Sequence, residues 1–145
     1  MLKIKFEKIH PDAIIPHYAN EDDAGMDLYS VKDISLKPMH RVAVPTGIKI
    51  EIPKGYEAQI RPKSGLALKN GITMPNSPGT IDAGYRGELK VLVINLGSKT
   101  YQIKKEQKIA QMIFNKIEKA RFIETKLSKT NRGEGGFGST GLKKA

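Results

Sequence analysis

The chain has 145 residues, enough for one domain with a real core and too few for two independent ones. It carries 25 Lys and Arg against 15 Asp and Glu, a formal charge of +10, which favours anionic partners such as nucleotide or nucleic acid through long-range steering. The lack of cysteine excludes a disulfide framework, thiolate chemistry and cysteine-ligated metal, and His10, His17 and His40 show no H-E-x-x-H spacing.

The first nine residues, M-L-K-I-K-F-E-K-I, alternate like a strand and lack the apolar block of a secretory signal. No apolar run reaches membrane-spanning length, so an intracellular, cytoplasmic location without membrane contact is expected. Residues 22–30, D-D-A-G-M-D-L-Y-S, are a polar island in which Asp27 sits between Met26 and Leu28. Asp27 reads either as a solvated loop acid or as a functional carboxylate. Apolar residues then recur at even positions through Val42, Val44, Ile48, Ile50 and Ile52, and the parity resumes at Tyr56, Ala58 and Ile60 after the Pro53-Lys54-Gly55 turn. Period two predicts strands on both sides of that turn.

Residues 61–67, R-P-K-S-G-L-A, set two cations and the Ser64 hydroxyl before Gly65. The run is either a Pro/Ser/Gly turn with a surface Lys63 or a loop that offers backbone N–H groups to a phosphate. A short turn over residues 64–69 is the one helical candidate. Residues 76–88, N-S-P-G-T-I-D-A-G-Y-R-G-E, carry Asn76, Asp82 and Tyr85 on an expected hairpin. After strand-like Thr80-Ile81, Asp82 would be held firmly enough to polarise a water. Tyr85 could wall a sugar or simply pack at a strand edge.

Residues 89–96, L-K-V-L-V-I-N-L, are apolar on both parities in the middle, as for a strand covered on both faces, one of them by another subunit. In K-I-A-Q, residues 108–111, Gln111 is an isolated carboxamide on a strand expected over residues 109–114, and residues 120–125 continue the pattern. Short strands punctuated by Pro-Lys-Gly, Asn-Gly, Pro-Gly and Leu-Gly-Ser predict an all-β, jelly-roll-like barrel or sandwich. The lysines are dispersed and tryptophan is absent, which reads as a solubilising surface, with nucleic acid not expected as partner.

The chain divides into a barrel over residues 1–127 and a flexible glycine-rich tail over residues 128–145. Residues 132–141 read R-G-E-G-G-F-G-S-T-G, with five glycines. Arg132 can fork onto phosphate oxygens, Ser139 and Thr140 can donate hydroxyl protons, and glycines such as Gly138 let backbone approach an anion closely. Phe137 is the one large apolar group there, suited to covering a base. A lid and a disordered Gly/Ser tail are the two readings.

Taken in order, A-G-M-D-L, R-P-K-S-G-L-A, N-S-P-G-T-I-D-A-G-Y-R-G-E, K-I-A-Q and R-G-E-G-G-F-G-S-T-G resemble the five ordered motifs of the homotrimeric deoxyuridine triphosphatase (dUTPase) family, across residues 24–141. The resemblance implies a jelly-roll subunit, a homotrimer with three active sites at subunit contacts, and Mg2+-assisted hydrolysis of dUTP to dUMP and pyrophosphate. It implies that Asn76 and strand backbone read the polar edge of uracil, that Tyr85 packs under the deoxyribose, and that Asp82 holds the attacking water as its base. Lys63, Ser64 and Gly65 would bind phosphates and Gln111 would orient the same region. Asp27 would act through water on a magnesium held mainly by the substrate, or through contact with the second motif. A neighbouring subunit would bring Phe137 over the uracil and Arg132, Gly138, Ser139 and Thr140 to the phosphates.

The sequence departs from the family pattern in three places. Lys63 stands where arginine is usual and loses its two-pronged geometry. Glu106-Gln107-Lys108 replaces Gly-Asp-Arg, and Gly84 stands where an acidic or polar residue is common. The related dCTP deaminases, or a bifunctional dCTP deaminase and dUTPase, are one alternative, although they normally run longer and use a glutamate at the pyrimidine ring. A non-enzymatic basic β-module binding nucleic acid is the other.

Overall fold

In the computed structural model, which describes residues 1–144, the period-two stretches become β4 (Arg41–Glu51) and β5 (Tyr56–Arg61) on either side of the predicted turn. Around them fold β1 (Lys5–Lys8), β2 (Met26–Tyr29), β3 (Ile34–Leu36), α1 (Ser64–Asn70), β6 (Ile72–Thr73), β7 (Gly79–Ile81), β8 (Glu88–Asn95), β9 (Tyr101–Ile103) and β10 (Lys108–Lys116). Ala145, the end of the expected tail, lies outside the described residues.

Two four-stranded antiparallel sheets, ordered β1-β4-β8-β6 and β2-β10-β5-β7, face each other, with a two-stranded β3-β9 ribbon beside them. This is the all-β, jelly-roll-like sandwich the alternation predicted. Its core joins the inward residues of both sheets, among them Val44, Ile48 and Val91 from one and Leu28, Ala58 and Met112 from the other. Each such fully buried aliphatic side chain contributes about 1.5–3 kcal/mol, the smaller Ala58 less.

Polar joints lock the ends of the sandwich. Fully buried Asn95 donates through Nδ2 to the carbonyls of Leu36 at 2.9 Å and Lys99 at 2.8 Å, and its Oδ1 accepts from the Gly97 N–H at 2.9 Å, so one side chain ties two loops to β8. At the C-terminus of α1, Gly71 takes the left-handed conformation, φ 68°, and its N–H caps the Ala67 carbonyl at 3.0 Å. Its backbone lies directly against Gly97: a Cβ on Gly71 would stand 2.6 Å from the Gly97 nitrogen, and one on Gly97 would stand 2.5 Å from the Asn70 oxygen.

Three expectations are corrected. The stretch over residues 64–69 is not a mere turn but the two-turn helix α1, ended by the Gly71 cap. Strand β8 buries Leu89, Val91 and Val93 within this chain and leaves Leu92 exposed on its other face, the face expected to meet another subunit. Residues 120–125 form no strand, and Phe122 is 98% exposed. β10, from which they lead, already has β2 and β5 as neighbours, so the chain cannot fold straight back and pair with it. Finally, residues 76–88 are not a self-paired hairpin. β6 pairs with β8 and β7 with β5, so the segment crosses between the sheets and returns.

Candidate active site

Strands β2, β10 and β5 lie side by side, and their register sets Asp27, Gln111 and Arg61 in one row. Just past β5, Pro62 and Lys63 lead into α1, which starts at Ser64. A cleft of about 350 Å3 opens there, lined by Asp27, Lys63, Ser64, Gly65, Lys108 and Gln111. Motif residues distant in sequence thus meet on one sheet edge: Asp27 from the first island, Lys63, Ser64 and Gly65 from the second, and Gln111 from the fourth.

Asp27 is the electrostatic centre of the cleft. Its side chain is only 6% exposed, and both oxygens are occupied: Lys63 Nζ donates to Oδ1, and Lys108 Nζ lies 2.8 Å from Oδ2. Burial pushes the carboxyl up, but hydrogen bonds from Lys108 and Lys63, together with their charges, outweigh it and hold the group below the usual carboxylate range. Asp27 raises Lys108 in turn, chiefly through the shared hydrogen bond. Behind the pair, the His17 ring stacks on Tyr29 at 5.7 Å, and the His17 carbonyl accepts from the Asp27 N–H at 3.1 Å.

Gln111 is oriented from two sides. Its Nε2 donates to the Pro62 carbonyl at 3.1 Å, and its Oε1 lies where a Cβ on Gly25 would stand, 2.5 Å away. The glycine of A-G-M-D-L therefore makes room for the glutamine of K-I-A-Q. In α1 the first main-chain bond runs from the Ala67 N–H to the Lys63 carbonyl, leaving the amides of Ser64, Gly65 and Leu66 without a helical acceptor. A Cβ on Gly65 would meet nothing within 4 Å, so the chain's own packing does not demand a glycine there.

Asn76, Asp82 and Tyr85 do not reach this cleft in the same chain. β7 runs antiparallel to β5, with Gly79 beside Ile60 and Ile81 beside Ala58. Continuing that register sets Asp82 near Glu57, roughly 13 Å along β5 from Arg61 at strand rise. Asp82 and Asn76 are exposed, and the Asn76 carboxamide folds over Gly79, where an added Cβ would stand 3.1 Å from its nitrogen. Tyr85 is held by its hydroxyl, which donates to the Glu88 carbonyl at 3.0 Å. A Cβ at Gly84 meets nothing within 4 Å.

The tail leaves the sandwich after the Ile117 N–H donates to the Gly55 carbonyl. Among the described residues beyond it, hydrogen bonds stay within the tail: Arg132 Nε donates to the Gly135 carbonyl at 2.8 Å, and the Ser139 N–H donates to the Gly136 carbonyl at 3.0 Å. Phe137 is fully exposed, and neither Ser139 nor Thr140 approaches the cleft of its own chain. Two charged cleft residues escaped the sequence reading. Asp23 lay unmarked in the first island, and Lys108 was noted only as a departure from the pattern, because strand parity assigns residues 108 and 111 to opposite faces.

On the edge of a jelly roll, two ammonium groups, a hydroxyl, a carboxamide and free backbone amides surround one locked carboxylate, with Asp23 beside them, a set of donors suited to an anion. The family model for dUTPase matches residues 11–141. The chain belongs to the dUTPase family. It is 55% identical to the deoxyuridine 5′-triphosphate nucleotidohydrolase of Clostridium kluyveri over 97% of this chain and 99% of that one. The enzyme of the same name from Hydrogenobaculum is 53% identical over 98% of this chain and all of that one. Among solved structures, the G164S mutant of the dUTPase of Staphylococcus bacteriophage 80alpha with dUpNHpp superposes with a TM-score of 0.87 at 25% identity, covering 97% of this chain and 99% of that one. The D95N mutant of the dUTPase from phage phi11 of S. aureus, which coordinates a structural Mg(II) ion, shares the fold with a TM-score of 0.82 at 22% identity, covering 88% of this chain and 99% of that one.

Proposed function

We propose that this protein hydrolyses dUTP to dUMP and pyrophosphate by in-line attack of water on the α-phosphorus. The observation that carries the reading is the convergence of Asp27, Lys63, Ser64 and Gln111, three separate family motifs, in one polar cleft of a family member. Neither the deaminase reading nor the nucleic-acid module has an observation in its favour. Ser64 donates its hydroxyl proton to a phosphate oxygen, and the open amides beside Gly65 and the Lys63 ammonium stabilise charge as it accumulates on the leaving pyrophosphate. Gln111, clamped between Pro62 and Gly25, orients the water or phosphate next to it.

Asp82 is the base: it holds the attacking water and takes its proton. Tyr85 packs under the deoxyribose, and Asn76 reads the uracil edge. Because these three lie away from the cleft of their own chain, the complete site forms between subunits, which supports a homotrimer with shared sites. The uncovered faces of Leu92 and Leu96 are consistent with such contacts. The tail over residues 128–145 serves as the lid of a neighbouring subunit, with Phe137 over the base and Arg132, Gly138, Ser139 and Thr140 at the phosphates.

Among the described residues no cluster of three or more histidines and carboxylates could hold a metal directly. The cleft nonetheless fits Mg2+ delivered on the triphosphate, since each Asp27 oxygen keeps a lone pair beyond its lysine partner for an intervening water. When bound, the ion neutralises phosphate charge and fixes the chain of phosphates. Among the described residues no helix is long and apolar enough to cross a membrane, and we retain the cytoplasm as the compartment.

The test is to incubate the protein with Mg2+ and, separately, dUTP, dCTP, dTTP and UTP, resolving monophosphate, pyrophosphate and ammonia. Selective dUMP and pyrophosphate are expected. Ammonia from dCTP would establish deaminase chemistry, and folded protein that turns over none of the four would refute the reading.

A further inference from the structure

The pairing of β10 with β2 contains one irregularity. Gln111 opposes Asp27 and Ala110 opposes Leu28, but Lys108 opposes Tyr29, so Ile109 is an extra residue. Directly opposed residues in an antiparallel pair share a face. In a regular ladder Ile109 would oppose Tyr29 and turn into the cleft, while Lys108 would turn away. The bulge reverses both: Ile109 goes into the core at 4% exposure, and Lys108 comes onto the face of Asp27 and Gln111.

The turn before β10 fixes the bulge. The Glu106 N–H donates to the Ser30 carbonyl at 2.8 Å, the Ser30 N–H donates to the Gln107 carbonyl at 3.0 Å, and Gln107 Nε2 donates to the Tyr101 hydroxyl at 2.7 Å. Lys108 is therefore held at its base by β2 and at its tip by Asp27.

We propose that Lys108 is a positioning residue that, with Lys63, locks the Asp27 carboxylate in one orientation toward the bound triphosphate. Lys63 holds one oxygen and Lys108 the other, and rotation of the carboxylate would break both pairs. Without Lys108, one oxygen of a nearly buried carboxylate loses its partner and the group is free to turn. The inference rests on the cleft being the phosphate end of the dUTP site.

The experiment compares Lys108→Gln and Lys108→Arg, each alone and with Asp27→Asn, in dUTP turnover and in crystal structures of the full chain. Lys108→Gln should lower kcat/KM by about tenfold or more, as loss of an outer-shell partner does. Lys108→Arg should restore most of it, and Lys108→Gln should cost nothing further once Asp27 is already Asn. In the Lys108→Gln crystal the Asp27 carboxylate should leave its wild-type orientation or occupy more than one. The proposal is overturned by an unchanged Asp27 orientation, by turnover close to wild type, or by an undiminished loss in the Asp27→Asn background, which would make Lys108 a direct phosphate ligand. Should the wild-type chain not turn over dUTP, the substrate reading fails, while the crystallographic comparison still decides the role of Lys108.

Discussion

Gly25 and Gln111 are an example of two residues that make sense only together. Gly25 has no side chain because the Gln111 oxygen occupies its place. Gly25→Ala should displace the carboxamide, lowering kcat/KM on the order of 10²-fold through misplacement of a positioning group. The fold should lose only about 1–3 kcal/mol from local overpacking. Steady-state kinetics beside a urea melt checks the pair, and an unchanged kcat/KM would remove Gln111 from the site. Glu106 presents the opposite case. It sits at φ 66°, a left-handed conformation that costs a side-chain-bearing residue about 1–2 kcal/mol, at the position where the resemblance has glycine. Glu106→Gly should therefore raise the denaturation midpoint modestly, after the entropy that glycine adds to the unfolded chain. A lowered midpoint would mean that the Glu106 side chain itself stabilises the turn.

At the scale of elements, the sandwich was legible because its strands are amphipathic: Val44, Ile48 and Ile50 announced β4 by parity alone. The first, second and fourth islands were legible as chemistry because each breaks that parity with polar residues at a strand end. What could not be read was pairing. Whether residues 76–88 close on themselves or cross between sheets depends on which strand edges are free. Residues 120–125 have a strand's composition, but β10, from which they lead, already has a neighbour on each side. Lys108 was hidden for the same reason, because a single extra residue in β10 inverts every face assigned by counting. Among the described residues the hydrogen bonds of the tail stay within it. Deletion from Arg132 onward, or Phe137→Ala, should leave a folded protein whose kcat/KM for dUTP falls by roughly 10²-fold, the cost of losing a closing lid. Equal kinetics with and without the tail would make it dispensable.

For the whole molecule, the separation of Asp82 from the cleft of its own chain has a consequence that mixing experiments reach directly. Asp82→Asn should lower kcat by roughly 10²- to 10⁴-fold while nucleotide still binds, as loss of a general base does. Ser64→Ala should impair the other half of the site. When the two impaired proteins are dissociated and reassembled together, some sites combine an intact Asp82 from one subunit with an intact Ser64 from another, and turnover should recover. No recovery after verified subunit exchange would mean that each chain builds its site alone.

The backbone contact between Gly71 and Gly97 carries a lesson about where this chain tolerates variation. The two residues lie away from the chemistry, yet neither has space for a single added carbon, and the contact seats the helix that begins at Ser64. A saturation-mutagenesis screen scored on turnover should record these two positions as intolerant as the polar residues of the cleft. Hydrogen-exchange rates at the α1 amides would tell such positions apart from true ligands, because a ligand can be lost while the helix stays in place.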